Sequence, residues 1–179
     1  MREEIGKIGL EALQPERAAL KDLQEMYVSL ENFYRSLRVG GEDFCREYYT
    51  PILQRMIEEN PTYIVRLSGK NVATVAFCGS PLVEIEGWSN MLCGAEGVRP
   101  MYLEGISVNP EVGNRGIEKT LFKAIEKAVL KGDLKPNFLR TAAIDWLKEF
   151  YERNGFNKVR EQAFKGRYNL ILFEKRVGE

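Results

Sequence analysis

Glu104 is the acidic residue of this 179-residue chain whose setting best suits proton transfer. It lies within the strand-like segment MYLEGISV, from Met101 to Val108, on the same face as Ile106 by the two-residue alternation of a strand. Burial among apolar neighbours disfavours the charged form of a carboxylic acid, so we expect the pKa of Glu104 to be raised. Such a group can accept a proton directly or through water. The alternative is an ordinary glutamate that faces solvent.

The chain contains no histidine. A Ser-His-Asp or Cys-His relay, a histidine metal cluster and a histidine general base are therefore excluded. Proton chemistry must use carboxylates, tyrosine, lysine or water. The three cysteines, Cys45, Cys78 and Cys93, are odd in number and widely spaced. This spacing fits reduced, mostly buried thiols better than disulfides or a metal site, so we expect no bound metal.

A second chemical feature is the connection between the Glu104 strand and the next helix. From Tyr102 to Leu121 the sequence reads as an apolar strand, a turn with glycine on both sides of Asn114 and Arg115, and the start of a helix. Backbone N–H groups of such a turn, with a helix N-terminus behind them, are suited to bind a diphosphate. Glu118 could bring an unfavourable carboxylate close to that diphosphate, unless it turns to solvent or pairs with Arg115.

Composition limits the remaining choices. The chain has 26 basic and 26 acidic side chains and 44% apolar residues, which is ordinary for a soluble protein and indicates no attraction to nucleic acid. The longest apolar run, Val72 to Cys78, is far too short to span a membrane, and the amino terminus lacks a signal-peptide pattern. We therefore expect a cytoplasmic protein with one domain over residues 1–179.

The amino-terminal third is predicted to contain a strand and two helical stretches. Lys7 to Leu13 alternates weakly as a first strand, and Pro15 suits the first turn of the helix that follows. Apolar residues then recur at three- and four-residue steps up to Gly40: Leu20, Leu23, Tyr27, Leu30, Tyr34 and Leu37. This spacing favours a surface that faces the core, and the alternative is a seam between two copies of the chain.

The second helical stretch runs from Glu42 to about Glu59. Pro51 interrupts it, because proline cannot donate within a helix and disfavours helical geometry at the residue before it. We expect a kink or a restart there, with Thr50 as the new cap. Tyr48 and Tyr49 could line an acceptor groove, although core packing is the more usual role at this spacing.

The rest of the chain alternates strands with two helices. The predicted segments are a hairpin (Thr62 to Leu67 and Asn71 to Gly79), a strand (Met101 to Val108), a helix from Ile117 to near Gly132, a strand (Asn137 to Ala143), a helix capped by Asp145 and ended by Gly155, and a hairpin (Lys158 to Phe164 and Tyr168 to Val177). The predicted element order is β-α-α-β-β-β-α-β-α-β-β.

This order, the strand-loop-helix from Tyr102 to Leu121 and the segment FYERNGF, from Phe150 to Phe156, together resemble the GNAT family of N-acetyltransferases. That family moves an acetyl group from acetyl-CoA to an amine. The resemblance covers essentially the whole chain and implies an α/β (α+β) fold with a mixed, mostly antiparallel sheet. YLEGISVNPE is most similar to the polyamine acetyltransferases, whose corresponding strand also carries Leu-Glu before the coenzyme loop.

The resemblance implies where acetyl-CoA binds as a co-substrate. The family's loop pattern falls on Gly113, Asn114, Arg115, Gly116, Ile117 and Glu118. Gly116 matches that pattern, whereas the outer positions Gly113 and Glu118 depart from it. The resemblance also assigns coenzyme contacts to Ile106, Ser107 and Val108 in the preceding strand. Backbone N–H groups matter more than side chains in such a loop, so the two departures do not exclude diphosphate binding.

Family resemblance also implies roles for two side chains. An amine with a pKa near 10.4 is protonated at neutral pH, so attack needs a base, which the resemblance places at Glu104. Tyr151 occupies the place of the tyrosine that acts as general acid on the leaving thiolate in many members, although it could instead be a core aromatic. A backbone N–H of the Glu104 strand would stabilise the oxyanion.

The sequence says less about the acceptor. Between Glu84 and Glu111 there are five acidic residues and one basic residue, Arg99, which would draw a cationic acceptor, although acidic residues also commonly decorate solvated loops. We expect direct transfer of an acetyl group to a primary amine of a small molecule or peptide. The alternatives are a non-catalytic acyl-CoA-binding or sensor module, and a related fold that binds no coenzyme.

Overall fold

The computed structural model describes residues 15–37, 40–67, 69–79, 82, 100–110, 117–131 and 136–178. The predicted strand at Lys7 to Leu13, the acidic residues of 84–99 and Glu111, Cys93, the loop residues Gly113 to Gly116 and the predicted helix end at Gly132 lie outside these residues. The described residues of Met1–Ala76 and Gly105–Leu121 form one compact unit, and those of Phe77–Glu104 and Phe122–Glu179 form another.

Seven strands and five α-helices lie within the described residues. The strands are β1 (Pro15–Arg17), β2 (Thr62–Leu67), β3 (Lys70–Cys78), β4 (Pro100–Val108), β5 (Phe138–Ile144), β6 (Asn157–Phe164) and β7 (Tyr168–Arg176). The helices are α1 (Leu23–Leu37), α2 (Gly41–Tyr48), α3 (Leu53–Glu59), α4 (Ile117–Lys131) and α5 (Lys148–Arg153), and short 3₁₀ turns (Leu20–Asp22 and Asp145–Leu147) precede α1 and α5.

The strands are hydrogen-bonded in the order β1-β2-β3-β4-β5-β7-β6. β4 and β5 run parallel, whereas the β1–β2, β2–β3, β5–β7 and β6–β7 pairs are antiparallel. The predicted mixed, mostly antiparallel sheet and both predicted hairpins are therefore confirmed. Within the described part of the chain, none of the helices is long and apolar enough to cross a membrane.

The core of the first unit includes an aromatic cluster between α1 and α2. The Tyr34 and Tyr49 hydroxyls lie 3.1 Å apart, and the rings of Phe44 and Tyr48 stack with their centroids 5.3 Å apart. Tyr48 and Tyr49 are 2% and 3% exposed. They are core residues, so the idea that they line an acceptor groove is not supported.

The prediction for Pro15 was wrong. Pro15 begins strand β1 and faces Val65 of β2, and the first helical residue comes only at Leu20. β1 is an edge strand, where the missing N–H of proline leaves no ladder bond unmade inside the sheet. The sequence alone did not reveal that residues 15–17 would find a partner strand almost fifty residues away.

The predicted stripe on α1 was only partly right. Leu30 and Tyr34 are buried, but Leu20 is 51% exposed. The residues that α1 buries are Met26, Leu30, Phe33 and Tyr34. Leu20 lies in the 3₁₀ turn before α1 rather than on the helix, and the buried Met26 and Phe33 each stand one residue before a member of the predicted stripe, so packing against neighbours decides which face is buried.

Two helix starts also differ from the predictions. The restart at Pro51 is confirmed, but the cap of α3 is Ile52 rather than Thr50, because the turn that follows α2 continues through the bond from the Leu53 N–H to the Tyr49 carbonyl, 2.8 Å. Asp145 is the first residue of its 3₁₀ turn rather than the cap, which is Ile144. Each observed cap lies within two residues of the predicted one.

Candidate active site

Glu104 lies in the middle of β4, with a relative exposure of only 2%. Met101 to Val108 are all buried, so both faces of this strand are covered. The alternative of an outward-facing, solvated glutamate is thereby excluded. A buried carboxylate of this kind is unusual unless it is paired or functional, which makes Glu104 a candidate for chemistry.

The ladder between β4 and β5 is short. Its paired residues are Pro100 with Phe138, Met101 with Leu139, and Tyr102 with Arg140. β5 continues to Ile144 and pairs with β7 along its whole length. Glu104 on β4 and Thr141 on β5 therefore both lie just beyond the last paired rung, where the two strands no longer share hydrogen bonds.

A row of polar side chains crosses three strands at that last rung. Arg140 faces Tyr102 on β4 and Glu174 on β7. Its guanidinium donates to Glu174 Oε2 at 2.6 Å and also donates to the Tyr102 side chain. Although burial acts to lower the pKa of Arg140, these two partners outweigh it, and the pKa is raised. Arg140 is thus held permanently charged where the ladder ends.

Tyr151 is buried in an aromatic pocket of the second unit, with a relative exposure of 3%. Its ring stacks on Phe173 with the centroids 4.9 Å apart and meets Phe156 edge-on at 5.5 Å. Its hydroxyl makes a side-chain hydrogen bond with Thr141. The FYERNGF segment thus buries the ring of Tyr151 in the core. The hydroxyl lies at Thr141, the residue of β5 that follows the last rung of the β4–β5 ladder.

Electrostatics link Tyr151 to Glu104. Burial is the main reason that the pKa of Tyr151 is raised, the hydrogen bond with Thr141 opposes the rise, and the negative charge of Glu104 adds to it. Burial likewise raises the pKa of Cys78 to about 12, again with a contribution from Glu104. The two side chains that are predicted to react, Glu104 and Tyr151, therefore interact electrostatically.

Gly105 interrupts the regular geometry of β4. Its φ of +58° lies in the left-handed region, and a Cβ at this position would come 2.3 Å from Cε of Met56. Thr74 Oγ1 donates a 2.5 Å hydrogen bond to its carbonyl oxygen. The two-residue alternation predicted from Glu104 to Val108 is thus broken at Gly105. A glycine inside a strand pattern is the sequence signal for such a break.

Only some of the residues that are predicted to bind the coenzyme lie within the described part of the chain. Ile106, Ser107 and Val108 are buried in β4, and the Ser107 hydroxyl is bonded to Thr74 and Ser29, so any coenzyme contact of Ser107 would use its backbone. α4 begins at Ile117, as predicted.

Glu118 lies in the first turn of α4. Within the described residues its Oε2 atom is buried and has no hydrogen-bond partner. The first alternative, that this carboxylate turns to solvent, therefore does not hold for that oxygen, and the second, a pair with Arg115, lies outside the described residues. The described residues also contain no group of three or more histidine, cysteine, aspartate or glutamate side chains arranged to hold a metal ion.

Comparisons with known proteins give a consistent picture. No family model matches the sequence. The chain is 25% identical over 163 residues to the S-(2-succino)cysteine N-acetyltransferase of Bacillus subtilis (strain 168), with 89% of this chain and 92% of that protein covered.

Solved structures show the same fold. A GCN5-related N-acetyltransferase from Rhodopseudomonas palustris superposes with a TM-score of 0.65 at 15% identity, covering 92% of this chain and 95% of that one. AAC(6')-Ib, solved in complex with paromomycin and acetyl-CoA, gives a TM-score of 0.63 at 15% identity, with 92% and 93% covered. At these identities the structural likeness carries the fold alone.

Proposed function

We propose that this chain, which belongs to the GCN5-related N-acetyltransferase (GNAT) family, transfers the acetyl group of acetyl-CoA directly to a primary amine of a small molecule or peptide. We further propose that residues 1–179 act as one acetyltransferase domain in the cytoplasm, with no nucleic-acid partner. A homodimer that uses either the Leu20 to Leu37 stripe or the terminal β6–β7 hairpin is part of the same proposal.

One observation carries the proposed chemistry: Glu104 is buried beyond the last rung of the β4–β5 ladder, and it interacts electrostatically with the buried Tyr151, whose hydroxyl bonds Thr141 of β5. In one acyl transfer, the base takes a proton from the attacking amine and the acid gives one to the leaving thiolate. The two groups therefore need to lie close together, and their protonation states need to be coupled.

Glu104 is proposed as the general base. The amine nitrogen attacks the acetyl carbonyl carbon, and its proton passes through water to the Glu104 carboxylate. The amine is almost entirely an ammonium ion at neutral pH, so a built-in acceptor raises the fraction of nucleophile available at the site. General-base catalysis by a positioned carboxylate is worth roughly 10²- to 10⁴-fold.

Tyr151 is proposed as the general acid that protonates the departing CoA thiolate. Its raised pKa keeps the phenol protonated throughout the physiological range. When Glu104 takes up the amine proton it loses its negative charge, and its contribution to the raised pKa of Tyr151 disappears. The phenol therefore becomes a stronger acid at the stage when the thiolate leaves.

Direct transfer is favoured over an acetyl-cysteine intermediate. Burial raises the pKa values of Cys45 and Cys78 to about 12, so neither thiol is ionised near neutral pH. The sequence has no histidine to activate them. An amine that attacks acetyl-CoA itself needs no such nucleophile.

The coenzyme is proposed to lie against β4 and the start of α4. Backbone groups of Ile106, Ser107 and Val108 would bind its pantetheine arm. The loop Gly113, Asn114, Arg115 and Gly116, with Ile117 and Glu118 behind it, would bind the diphosphate through N–H groups and the Arg115 charge. A diphosphate is the ligand expected at a helix N-terminus that follows a glycine-containing loop.

The acceptor is proposed to be an amino-acid-like or polyamine-like amine. The Bacillus subtilis relative is an S-(2-succino)cysteine N-acetyltransferase, which favours a small-molecule acceptor. The acidic residues of 84–111 favour a cationic amine. A negatively charged succinylated cysteine and a polyamine are opposite in charge, so a comparison of the two discriminates directly.

Thiol release from acetyl-CoA tests the proposal. The wild-type chain is assayed with S-(2-succino)cysteine, spermidine, free amino acids and peptide amines, together with Glu104→Gln and the exposed-site control Glu149→Gln. We expect saturable CoA release with at least one amine, a loss of about 100-fold in kcat for Glu104→Gln, and wild-type rates for Glu149→Gln. Absence of release with every amine contradicts the proposal.

Glu118 favours one alternative function. A carboxylate oxygen that is buried in the first turn of α4 opposes a bound diphosphate and would weaken coenzyme affinity. A sensor that binds acyl-CoA without turnover accommodates weak binding better than an enzyme does. Calorimetry with acetyl-CoA separates the cases: binding without CoA release supports the sensor, and no binding excludes both functions.

A further inference from the structure

A surface cleft with a volume of about 560 Å³ lies beside α1 and the start of β3, and this volume is in the range of small-molecule sites. We call it the α1 cleft, and its lining includes Lys21, Gln24, Glu25, Val28, Asn32 and Asn71. These residues all belong to the first compact unit, whereas Glu104 and Tyr151 belong to the second. Among the described residues, none of those proposed to bind the coenzyme lines the α1 cleft. It is therefore built from residues that the proposed chemistry does not use.

Asn71, the second residue of β3, has an amide group of which only one end is bonded. Its side chain is 7% exposed, and its Oδ1 accepts from the Ala73 N–H at 3.2 Å. This bond fixes the orientation of the amide, because the reverse orientation would set two donors against each other. Nδ2 is buried and has no hydrogen-bond partner among the described residues. Since buried donors in folded proteins are almost always bonded, this amide marks a place for an acceptor.

The charged residues of the α1 cleft indicate which kind of acceptor it suits. Both oxygens of Glu25 are already bonded: Oε1 accepts from the Asn71 backbone N–H at 2.9 Å, and Oε2 accepts from Arg66 at 2.8 Å. Lys21 is exposed at the other end of the lining sequence, where its ammonium group carries a positive charge. The cleft thus offers a ligand two sets of donors, an ammonium and an amide NH₂. A carboxylate can accept hydrogen bonds from both.

Val28 gives the α1 cleft an apolar wall. Its side chain is 42% exposed, and Lys21, Gln24 and Val28 follow one another at steps of three and four residues, which places them on one side of the helix. A short aliphatic chain that lies on Val28 would remove apolar surface from water. The amide of Gln24 or Asn32 can then bind a second polar group. These features together fit a small aliphatic molecule with a carboxylate at each end.

We propose that the α1 cleft is a binding site for a small aliphatic dicarboxylate, with one carboxylate between Lys21 and Asn71 Nδ2 and the carbon chain on Val28. Because Nδ2 is itself buried, an acceptor reaches it only after a lining side chain moves, and the long side chains of Lys21 and Gln24 are both exposed and able to do so. Ordering these side chains weakens binding, so we expect a Kd of about 1 mM. The inference does not rest on the proposed function.

The test follows the side-chain amide resonances of Asn71 by NMR while succinate is added to the wild-type chain. We expect both Asn71 amide protons to shift saturably, with a Kd of about 1 mM. The side-chain amide of Asn60, which is in the same unit but is not part of the cleft lining, should not shift. The matched ligand control is 1,4-diaminobutane, which has the same carbon chain and two positive charges, and it should leave the Asn71 amide unchanged.

Two variants separate the charge from the amide. Lys21→Gln removes the ammonium and should weaken succinate binding about tenfold, whereas Lys148→Gln, at a lysine of the second unit whose side chain is 50% exposed, should bind as the wild type does. Asn71→Asp keeps an oxygen for the Ala73 N–H and replaces the NH₂ group with an anionic oxygen, so it should abolish binding. If Asn71→Asp does not fold, the exposed-site variant Lys21→Gln decides alone.

Four results would overturn the inference. The first is an Asn71 amide that does not shift at a succinate concentration about 50-fold above the expected Kd, which would mean that only water binds there. The others are wild-type affinity in Lys21→Gln, an equal response to 1,4-diaminobutane, and displacement of succinate by acetyl-CoA, which would assign the cleft to the coenzyme site. CoA release enters none of these readouts, so the inference and the proposed function can fail separately.

Discussion

Arg140 on β5 donates a hydrogen bond to the side chain of Tyr102, the residue it faces on β4 at the last rung of the parallel ladder. The same guanidinium is bound to Glu174 on the other side of β5, with Nη2 2.6 Å from the carboxylate oxygen. The row ties β4, β5 and β7 together at the rung beyond which β4 and β5 separate. Glu104 and Thr141 follow immediately, so the candidate site begins where this row ends.

Loss of the Arg140–Glu174 ion pair should lower the stability of the protein. Glu174→Ala leaves the Arg140 guanidinium, whose side chain is 10% exposed, without its main partner. We expect a loss of about 3 kcal/mol in the free energy of unfolding by urea, because an uncompensated charge remains buried. Glu16→Ala is the matched control, since Glu16 also pairs with an arginine, Arg66, but is 59% exposed. It should cost less than about 1 kcal/mol, and equal losses in the two variants would contradict this reading.

Gly105→Ala should destabilise the protein for two separable reasons. A left-handed backbone costs a non-glycine residue about 1–2 kcal/mol, and the new Cβ would meet Met56 Cε at 2.3 Å. Gly166 has a similar φ of +64° but open space around it, so Gly166→Ala measures the backbone part alone. We expect Gly105→Ala to lose more stability than Gly166→Ala, and to cost less in a Met56→Ala background than in the wild-type chain, because the shorter side chain removes the steric contact. Equal losses at the two glycines would exclude the steric contact.

Asp22 should make stability depend on pH in the acidic range. Burial acts to raise its pKa, but the Ala19 N–H and the Arg66 guanidinium outweigh burial, and the pKa is lowered below 3.8. A lowered folded-state pKa means that the carboxylate stabilises the fold above the unfolded pKa and that this contribution is lost as pH falls through the folded value. Asp22→Asn should therefore be about 2 kcal/mol less stable at pH 7, with the difference shrinking below about pH 4. A difference that stays constant down to pH 2.5 would rule out the ionised form as its source.

The described cysteines should resist alkylation. Burial raises the pKa values of Cys45 and Cys78 to about 12, so at pH 8 only about one thiol in 10⁴ is ionised. In a Cys93→Ser variant we expect no reaction with a thiol reagent at pH 8 until the chain is unfolded, and reactivity that rises only as pH approaches 12. Two rapidly labelled thiols in the folded variant at pH 8 would show that these side chains are accessible and ionised.

The sequence singled out two candidate side chains, whose catalytic roles stay predictions, but it did not reveal the contacts around them. Glu104 and Tyr151 stand in local patterns, a strand before a loop and a short helix before a glycine, and such patterns can be read within ten residues. Thr74 binds the Gly105 carbonyl from 31 residues away, and Arg140 and Glu174 lie 34 residues apart. Contacts over such separations depend on strand pairing, which the sequence does not display.

Local rules failed where tertiary packing decided the outcome. Pro15 favoured a helix start, yet it lies in an edge strand, where it pairs with Val65. The spacing of apolar residues on α1 identified the helix but misplaced its buried side, because Phe33 and Met26 pack on the core while Leu20 does not. Periodicity locates an element along the chain, whereas its neighbours determine which face it buries.

The central claim is that Tyr151 supplies the proton to the leaving CoA thiolate, and the steady-state rate of CoA release by Tyr151→Phe tests it most directly. The phenylalanine ring keeps the stack on Phe173, so the change removes the hydroxyl and little else. Tyr168→Phe, at another buried tyrosine of the same unit, is the control. We expect Tyr151→Phe to lose about 100-fold in kcat with an unchanged KM for acetyl-CoA, while Tyr168→Phe keeps the wild-type rate. A Tyr151→Phe variant that releases CoA at the wild-type rate contradicts the account.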